Sequence, residues 1–204
     1  MGRLVRAQVE AAPDLQLAWA AGRELPVSLD ADVIVDFSTP EGLRGLLARA
    51  SCPVVSGTTG VKVQAPGLAL LHAPNFSLGV AVLAGLVRRA HAALPDWEVE
   101  IVELHHAAKR DAPSGTALRL AEGLGPVVDH HPGLRAPGTV GVHAVRGGDV
   151  VGEHTVYLFG PGERLALGHV ASDRALFATG ALTAARWIVG KPPGRYRLED
   201  VLGG

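Results

Sequence analysis

His105 and His106 are adjacent, Lys109 follows within the same loop, and Ser114-Gly115-Thr116 lies just beyond. An imidazole titrates near neutrality, which suits general acid work. A lysine ammonium offers a point charge for a carboxylate, or a proton. The backbone N–H groups of Ser114, Gly115 and Thr116, where they open a helix, make a site for a second carboxylate. Together these groups suit the protonation of a small anionic substrate. Two imidazoles, an ammonium and an anion-binding helix start in one loop favour function over a merely solvated polar loop.

The surrounding sequence has to position that loop. Upstream, Trp97, Val99 and Ile101 alternate with Glu98 and Glu100, the period of a half-buried strand running into the histidine pair. Neighbours on a regular strand face opposite ways, so His105 and His106 share a pocket only where the strand gives way to loop. Downstream, Ser114 or a residue beside it caps a helix through Ala117-Leu118-Arg119-Leu120-Ala121-Glu122, and Gly123 and Gly125 stop it.

The first part of the chain alternates helices and strands. Residues 3–12 read as a helix with Leu4, Val5 and Val9 on one stripe, and Leu15–Ala20 reads as a strand. Asp32–Phe37 is an apolar run bounded by turn formers, as expected for a strand covered on both faces. Ser38-Thr39-Pro40 starts a helix reaching about Ala50. Pro53–Ser56 is a strand ending in Gly57-Thr58-Thr59-Gly60, and Leu68–His72 is another ending in Ala73-Pro74-Asn75-Phe76. This pattern predicts an α/β fold with a doubly wound parallel sheet, in which ligands bind at the carboxyl ends of the strands. A long helix spans about Ser77–Ala93. Pro126–Gly138 reads as an irregular connection. Its Asp129-His130-His131 lacks a third ligand at metal spacing, and no metal is expected. Thr139–Arg146, Val150–Phe159 and Glu163–Ala171 read as three antiparallel strands, with His143, His154 and His169 as structurally held histidines. A final helix covers about Arg174–Val189.

With 204 residues, 48% of them hydrophobic, the chain can build one large or two small domains. A net charge of −1 gives no argument for nucleic acid or an anionic membrane surface. No apolar run approaches membrane-spanning length. Cys52 is the only cysteine, so no internal disulfide forms, which fits the cytoplasm; it reads as a core-edge residue rather than a nucleophile.

The chain resembles the 4-hydroxy-tetrahydrodipicolinate reductase (dihydrodipicolinate reductase) family along nearly its whole length. Glu103-Leu104-His105-His106, Lys109 and Asp111-Ala112-Pro113-Ser114-Gly115-Thr116-Ala117 match the family signature. Val35–Ser38, Gly57–Gly60 and Pro74–Val80 match its cofactor-side motifs. Arg146-Gly147-Gly148, Gly152-Glu153-His154 and Phe177–Leu182 match later ones. The resemblance implies reduction of a cyclic hydroxy-imine dicarboxylate with NADPH or NADH, in lysine and diaminopimelate biosynthesis. It implies His105 as general acid, Lys109 as second catalytic residue, and His106, Gly115 and Thr116 as substrate-binding positions. Gly2, Arg23, Gly57, Thr58, Thr59, Ala73, Pro74, Asn75 and Phe76 would line the cofactor. It further implies a Rossmann-type dinucleotide-binding domain over 1–77 plus 175–204. A second α+β domain with a mixed or antiparallel sheet would cover 78–174, bind substrate and assemble a homotetramer through that sheet.

The sequence departs from the family at two places. Met1-Gly2-Arg3 matches only the end of the glycine-rich pyrophosphate turn. The first strand is expected to be missing and the true start to lie upstream, so Leu15–Ala20 and Asp32–Phe37 should not pair directly. Where a carboxylate would bind the adenosine ribose, the chain has Gly22 followed by Arg23, which predicts a preference for NADPH. A second functional reading stays open beside the active reductase, namely a non-catalytic or cofactor-impaired relative that keeps the substrate loop.

Overall fold

The computed structural model describes residues 1–204 apart from Arg23, His130, His131, Pro132 and Gly204. The chain forms two compact units, one of Met1–Leu78 with Ala175–Gly204 and the other of Gly79–Arg174.

The first unit holds a parallel sheet of β1 (Ile34–Asp36), β2 (Val54–Ser56), β3 (Ala69–His72) and β9 (Gly194–Tyr196), in that spatial order. Strands β1, β2 and β3 are short and almost wholly buried, which explains why they read as continuous apolar runs. Helix α1 (Gly2–Ala11) sets Val5 against Ala178 and Leu182 of α5 (Ala175–Ile188). Helix α2 (Pro40–Leu47) starts at Thr39, whose hydroxyl accepts from the Gly42 N–H at 3.2 Å, with Pro40 in the first turn where its missing N–H costs nothing. Leu43 and Leu46 of that helix pack on Ile34, Val54 and Leu70.

Leu15–Ala20 forms no strand, contrary to expectation. The segment has no hydrogen-bonded neighbour in the sheet, and β1 pairs with β2 alone, so an apolar alternation by itself did not make a strand. The strand β9, after Pro192-Pro193, was not foreseen; its three residues carry too little pattern to stand out.

The second unit is built on a five-stranded mixed sheet in the order β5 (Val127–Asp129), β6 (Val140–Arg146), β4 (Glu98–His105), β7 (Gly152–Gly160), β8 (Glu163–Ala171). Helices α3 (Leu78–Ala93) and α4 (Gly115–Ala121) contribute Leu83, Val87, Ala117 and Leu120 to a core shared with Val99, Ile101, Val142, Val156 and Leu158. Two sequence expectations need correcting. Pro126–Gly138 is not wholly irregular, because it contains β5. And β6 does not form a hairpin with β7: it runs parallel to β4, which lies between them. The physical reason is visible in the Gly147-Gly148-Asp149 connection. Gly147 N–H donates to the His105 carbonyl at 2.9 Å, and Ala107 N–H donates to the Gly148 carbonyl at 3.1 Å, so the connection crosses the end of β4 instead of turning back beside β6. Only β7 and β8 make the antiparallel hairpin expected of this region. Among the described residues, no helix is long and apolar enough to cross a membrane.

Candidate active site

The core-facing side of β4 changes character along its length. Val99 and Ile101 are apolar, then Glu103 and His105 continue the same face. Pairing registers bring partners to that end. His105 lies beside Arg146 on β6, and Glu103 lies opposite His154 on β7. Alternation along β4 thus delivers two ionisable side chains to the edge of the apolar core.

Glu103 is fully buried. Its Oε1 accepts from the Ser114 N–H at 2.9 Å and from Arg146 Nη2 at 2.8 Å. Burial pushes this carboxyl up, but the Ser114 hydroxyl and N–H and the Arg146 guanidinium outweigh that and hold it below the ordinary glutamate value. Arg146 also donates to the Asp111 carbonyl at 2.7 Å, fastening the loop to the sheet. Glu103 Oε2 lies 3.0 Å from His105 Nδ1 and 3.7 Å from His154 Nε2.

His105 is buried, and burial pushes its imidazole below its ordinary value; Glu103 opposes that shift, while Lys109 and Arg146 add to it. His154 packs edge-on against it, with ring centroids 5.1 Å apart at 77°. Burial brings His154 down to about 4, with the neighbouring His105 pushing the same way. Glu103, His105 and His154 offer ligand atoms within 4.8 Å of one another. The Arg146 guanidinium already supplies the positive charge beside this carboxylate, and the arrangement suits proton handling.

The loop itself is ordered by Ser114. Its hydroxyl accepts from the Ala117 N–H at 3.1 Å, capping α4, while its N–H is tied to Glu103. Gly115 and Thr116 form the first turn of α4. Lys109 Nζ sits 2.7 and 2.9 Å from the two oxygens of Asp111, and Asp111 also takes the Gly115 N–H. His106 is half-buried just beyond the strand end, so the structure brings His105, Lys109, Gly115 and Thr116 to one end of β4 with His106 beside them.

His154, Arg146 and Glu103 were not singled out from sequence as site residues. The signal for His154 lay in its register across β7, which no local pattern encodes. Of the other histidines, His143 pairs with Glu100 at 2.7 Å and His169 is half-buried on β8. The Asp129-His130-His131 reading falls partly outside the described residues, since His130 and His131 lie there. Cys52 packs at the edge of a core cluster.

In the first unit, the turns after β2 and β3 lie at the carboxyl ends of adjacent parallel strands, the position for a dinucleotide in such sheets. Asp36 Oδ2 accepts from the hydroxyls of Ser56 and Thr58, both at 2.7 Å, and Oδ1 accepts from the Ser38 N–H at 3.1 Å. These bonds turn inward, so Thr58, Ala73 and Phe76 are buried and shape the turns, while Gly57, Thr59, Pro74 and Asn75 retain exposure. A methyl group at Gly57 would sit 2.2 Å from the Phe37 ring, so the turn needs glycine to pass that side chain. This backbone-rich rim fits a nicotinamide nucleotide. Gly2 is exposed in the first turn of α1, and Arg23 lies outside the described residues.

Comparison with known proteins decides the family. Residues 79–202 match the family model described as dihydrodipicolinate reductase, C-terminus. The chain is 46% identical over 197 residues to the 4-hydroxy-tetrahydrodipicolinate reductase of Ruegeria pomeroyi, covering 85% of this chain and 73% of that one. It is 47% identical over 195 residues to the enzyme of the same name from Stenotrophomonas maltophilia, covering 89% and 77%. The chain belongs to the 4-hydroxy-tetrahydrodipicolinate reductase family. It is therefore an oxidoreductase of lysine and diaminopimelate biosynthesis that works with a nicotinamide cofactor, and the reading as an impaired relative is not favoured. The fold agrees: a dipicolinate-bound dihydrodipicolinate reductase from Paenisporosarcina sp. TG-14 superposes with a TM-score of 0.75 at 22% identity, over 98% of this chain and 94% of that one.

Proposed function

We propose that His105 is the general acid and Lys109 the second catalytic residue in the reduction of 4-hydroxy-tetrahydrodipicolinate to tetrahydrodipicolinate, with loss of water. The observation that carries this is the placement of His105 at the end of β4, backed by Glu103, in the unit that also carries Lys109 and the start of α4. The nicotinamide, when bound, supplies the hydride; the residues of this chain bind and orient the substrate and deliver the proton. One substrate carboxylate meets Lys109. Asp111, the present partner of Lys109, has a side chain 59% exposed, and such a surface pair is worth only about 0–1 kcal/mol, so exchange for a substrate carboxylate costs little. The second carboxylate is held by His106 and by Gly115 and Thr116. Two incoming negative charges raise the proton affinity of His105 against Lys109 and Arg146, so the acid is loaded when substrate arrives.

Gly57, Thr58, Thr59, Ala73, Pro74, Asn75 and Phe76, with Gly2 and Arg23, form the cofactor side. A preference for NADPH rests on Gly22 and Arg23. An arginine–phosphate bond contributes about 1.5–3 kcal/mol, roughly tenfold to a hundredfold in affinity. Equal or better efficiency with NADH at the same salt would refute that preference. The outer face of the five-stranded sheet exposes Val145, Phe159 and Val170, which supports assembly into a homotetramer through that face. The lone cysteine fits residence in the cytoplasm.

Steady-state kinetics test the catalytic assignment. His105→Gln should lower turnover by about 100-fold or more, and Lys109→Ala should impair both turnover and substrate binding. Wild-type kinetics in both variants would overturn it.

A further inference from the structure

We propose that Glu103 and His154 are positioning residues for the protonation step: the Glu103 carboxylate supports the proton on His105 from behind, and His154 fixes the plane of the His105 ring. This deepens the assignment of His105 as general acid and rests on it.

The two oxygens of Glu103 are not equivalent. Oε1 is saturated by the Ser114 N–H and Arg146. Oε2 faces His105 Nδ1 at 3.0 Å, yet neither atom gains an aligned hydrogen bond. A buried carboxylate oxygen without an aligned donor is costly. Protonation of His105 offers a charged N–H to that oxygen, and catalytic hydrogen bonds of this kind commonly tighten only once substrate is bound. With Nδ1 committed to Glu103, Nε2 is the atom left to face substrate. The backbone keeps that edge open, since a methyl group at Gly152 would lie 3.1 Å from Nε2.

His154 acts differently. The Ser114 hydroxyl accepts from the Ala117 N–H. His154 Nε2 lies 3.3 Å from that hydroxyl oxygen, so the capping serine also holds this ring. Burial keeps this imidazole neutral at pH values well above 4. It packs edge-on against His105 and blocks rotation without adding a charge. The charged and titratable groups facing His105 are then complete by element: Glu103 on β4, Lys109 and Asp111 on the loop, Arg146 on β6 and His154 on β7, with His169 of β8 bearing on His154.

A purely structural network would pin Ser114 and Arg146 and leave the titration of His105 alone. The two roles separate in an NMR titration of His105 together with pH profiles of kcat, on the full chain. Glu103→Gln should move the His105 titration down by about 1 pH unit or more, and move the alkaline limb of kcat with it. Glu103→Asp keeps the charge but withdraws it from Nδ1, and should give a smaller downward move. His154→Gln keeps a hydrogen-bonding partner for Ser114 but removes the ring. It should lower kcat by about tenfold with KM kept, leaving the limb in place. A His105 titration within about 0.3 pH unit of wild type in both Glu103 variants would overturn the part given to Glu103. Wild-type kcat in His154→Gln would overturn the part given to His154. Failure of the general-acid assignment itself would show separately, as turnover retained in His105→Gln.

Discussion

Replacing Arg146 by methionine removes the guanidinium paired with a carboxylate that is wholly buried. Arg146 is 17% exposed and Glu103 0%, so water replaces little of what is lost. Breaking a buried pair by deleting one partner costs about 3–5 kcal/mol, because the remaining charge stays uncompensated. The slight exposure of Arg146 argues for the lower end, about 3 kcal/mol, which is more than a hundredfold in the folded-to-unfolded ratio. Loss of the 2.7 Å bond to the Asp111 carbonyl acts in the same direction but through the same group, so it is not added.

The pH dependence makes the reasoning specific. The Glu103 carboxyl lies below its ordinary value of 4.5 in the folded protein. Its contribution to stability is therefore fully present above that value and fades as pH falls through the lower, folded one. In Arg146→Met, burial is no longer outweighed by the guanidinium, the carboxyl moves up, and it accepts a proton sooner as pH falls. A neutral Glu103 no longer needs a cation. The gap between variant and wild type should be largest near neutrality and narrow toward about pH 5. Urea denaturation followed by circular dichroism reads this directly, as a midpoint lowered by about 1 M or more at about pH 7.5. A gap below about 1 kcal/mol there, or one that widens toward acid, would refute the account.

Two further substitutions probe backbone clearance. Gly152→Ala places a methyl group 3.1 Å from His105 Nε2 and should displace the ring by a few tenths of an ångström, lowering kcat by about tenfold with the fold unchanged by circular dichroism; wild-type turnover would mean that Nε2 does not face the substrate. Gly180→Ala sets a methyl group 1.8 Å from the Phe76 carbonyl, a backbone atom that cannot step aside, and should destabilise the first unit by about 1–3 kcal/mol and weaken nucleotide binding, with an unchanged melting curve and affinity as the contrary result.

How much of this was legible in the sequence depends on whether the information is local. The strand into the histidines, the Ser114 cap and the Pro40 start of α2 were readable, because alternation and capping are properties of a few consecutive residues. The doubly wound parallel sheet followed from the alternation of elements. What failed to read was pairing. Leu15–Ala20 carries a strand pattern but has no hydrogen-bonded neighbour in the sheet. The glycines at 147 and 148 have the composition of a hairpin turn, and only the bonds to His105 and Ala107 show that the connection crosses β4. His154 is silent for the same reason: its neighbour Glu103 is 51 positions away, and the two meet through an antiparallel register set by the whole of β7.

That register also explains how His105, the proposed general acid, is held. On β4 the step from Ile101 to Glu103 is the step from apolar core to polar site, and no flexible segment intervenes. Glu103 and His154 inherit the rigidity of close-packed strands on both sides, a condition for holding a catalytic group to a fraction of an ångström. Lys109 sits instead on the loop, in an exposed pair with Asp111, where exchange of one carboxylate for another is easy. Under the proposed assignment, each part of the work is placed where its demand is met: proton delivery from His105 needs fixed geometry and lies on the sheet, while substrate capture by Lys109 needs a replaceable partner and lies in the loop. The connection between them is Arg146, which bonds the sheet carboxylate and the loop backbone with the same nitrogen.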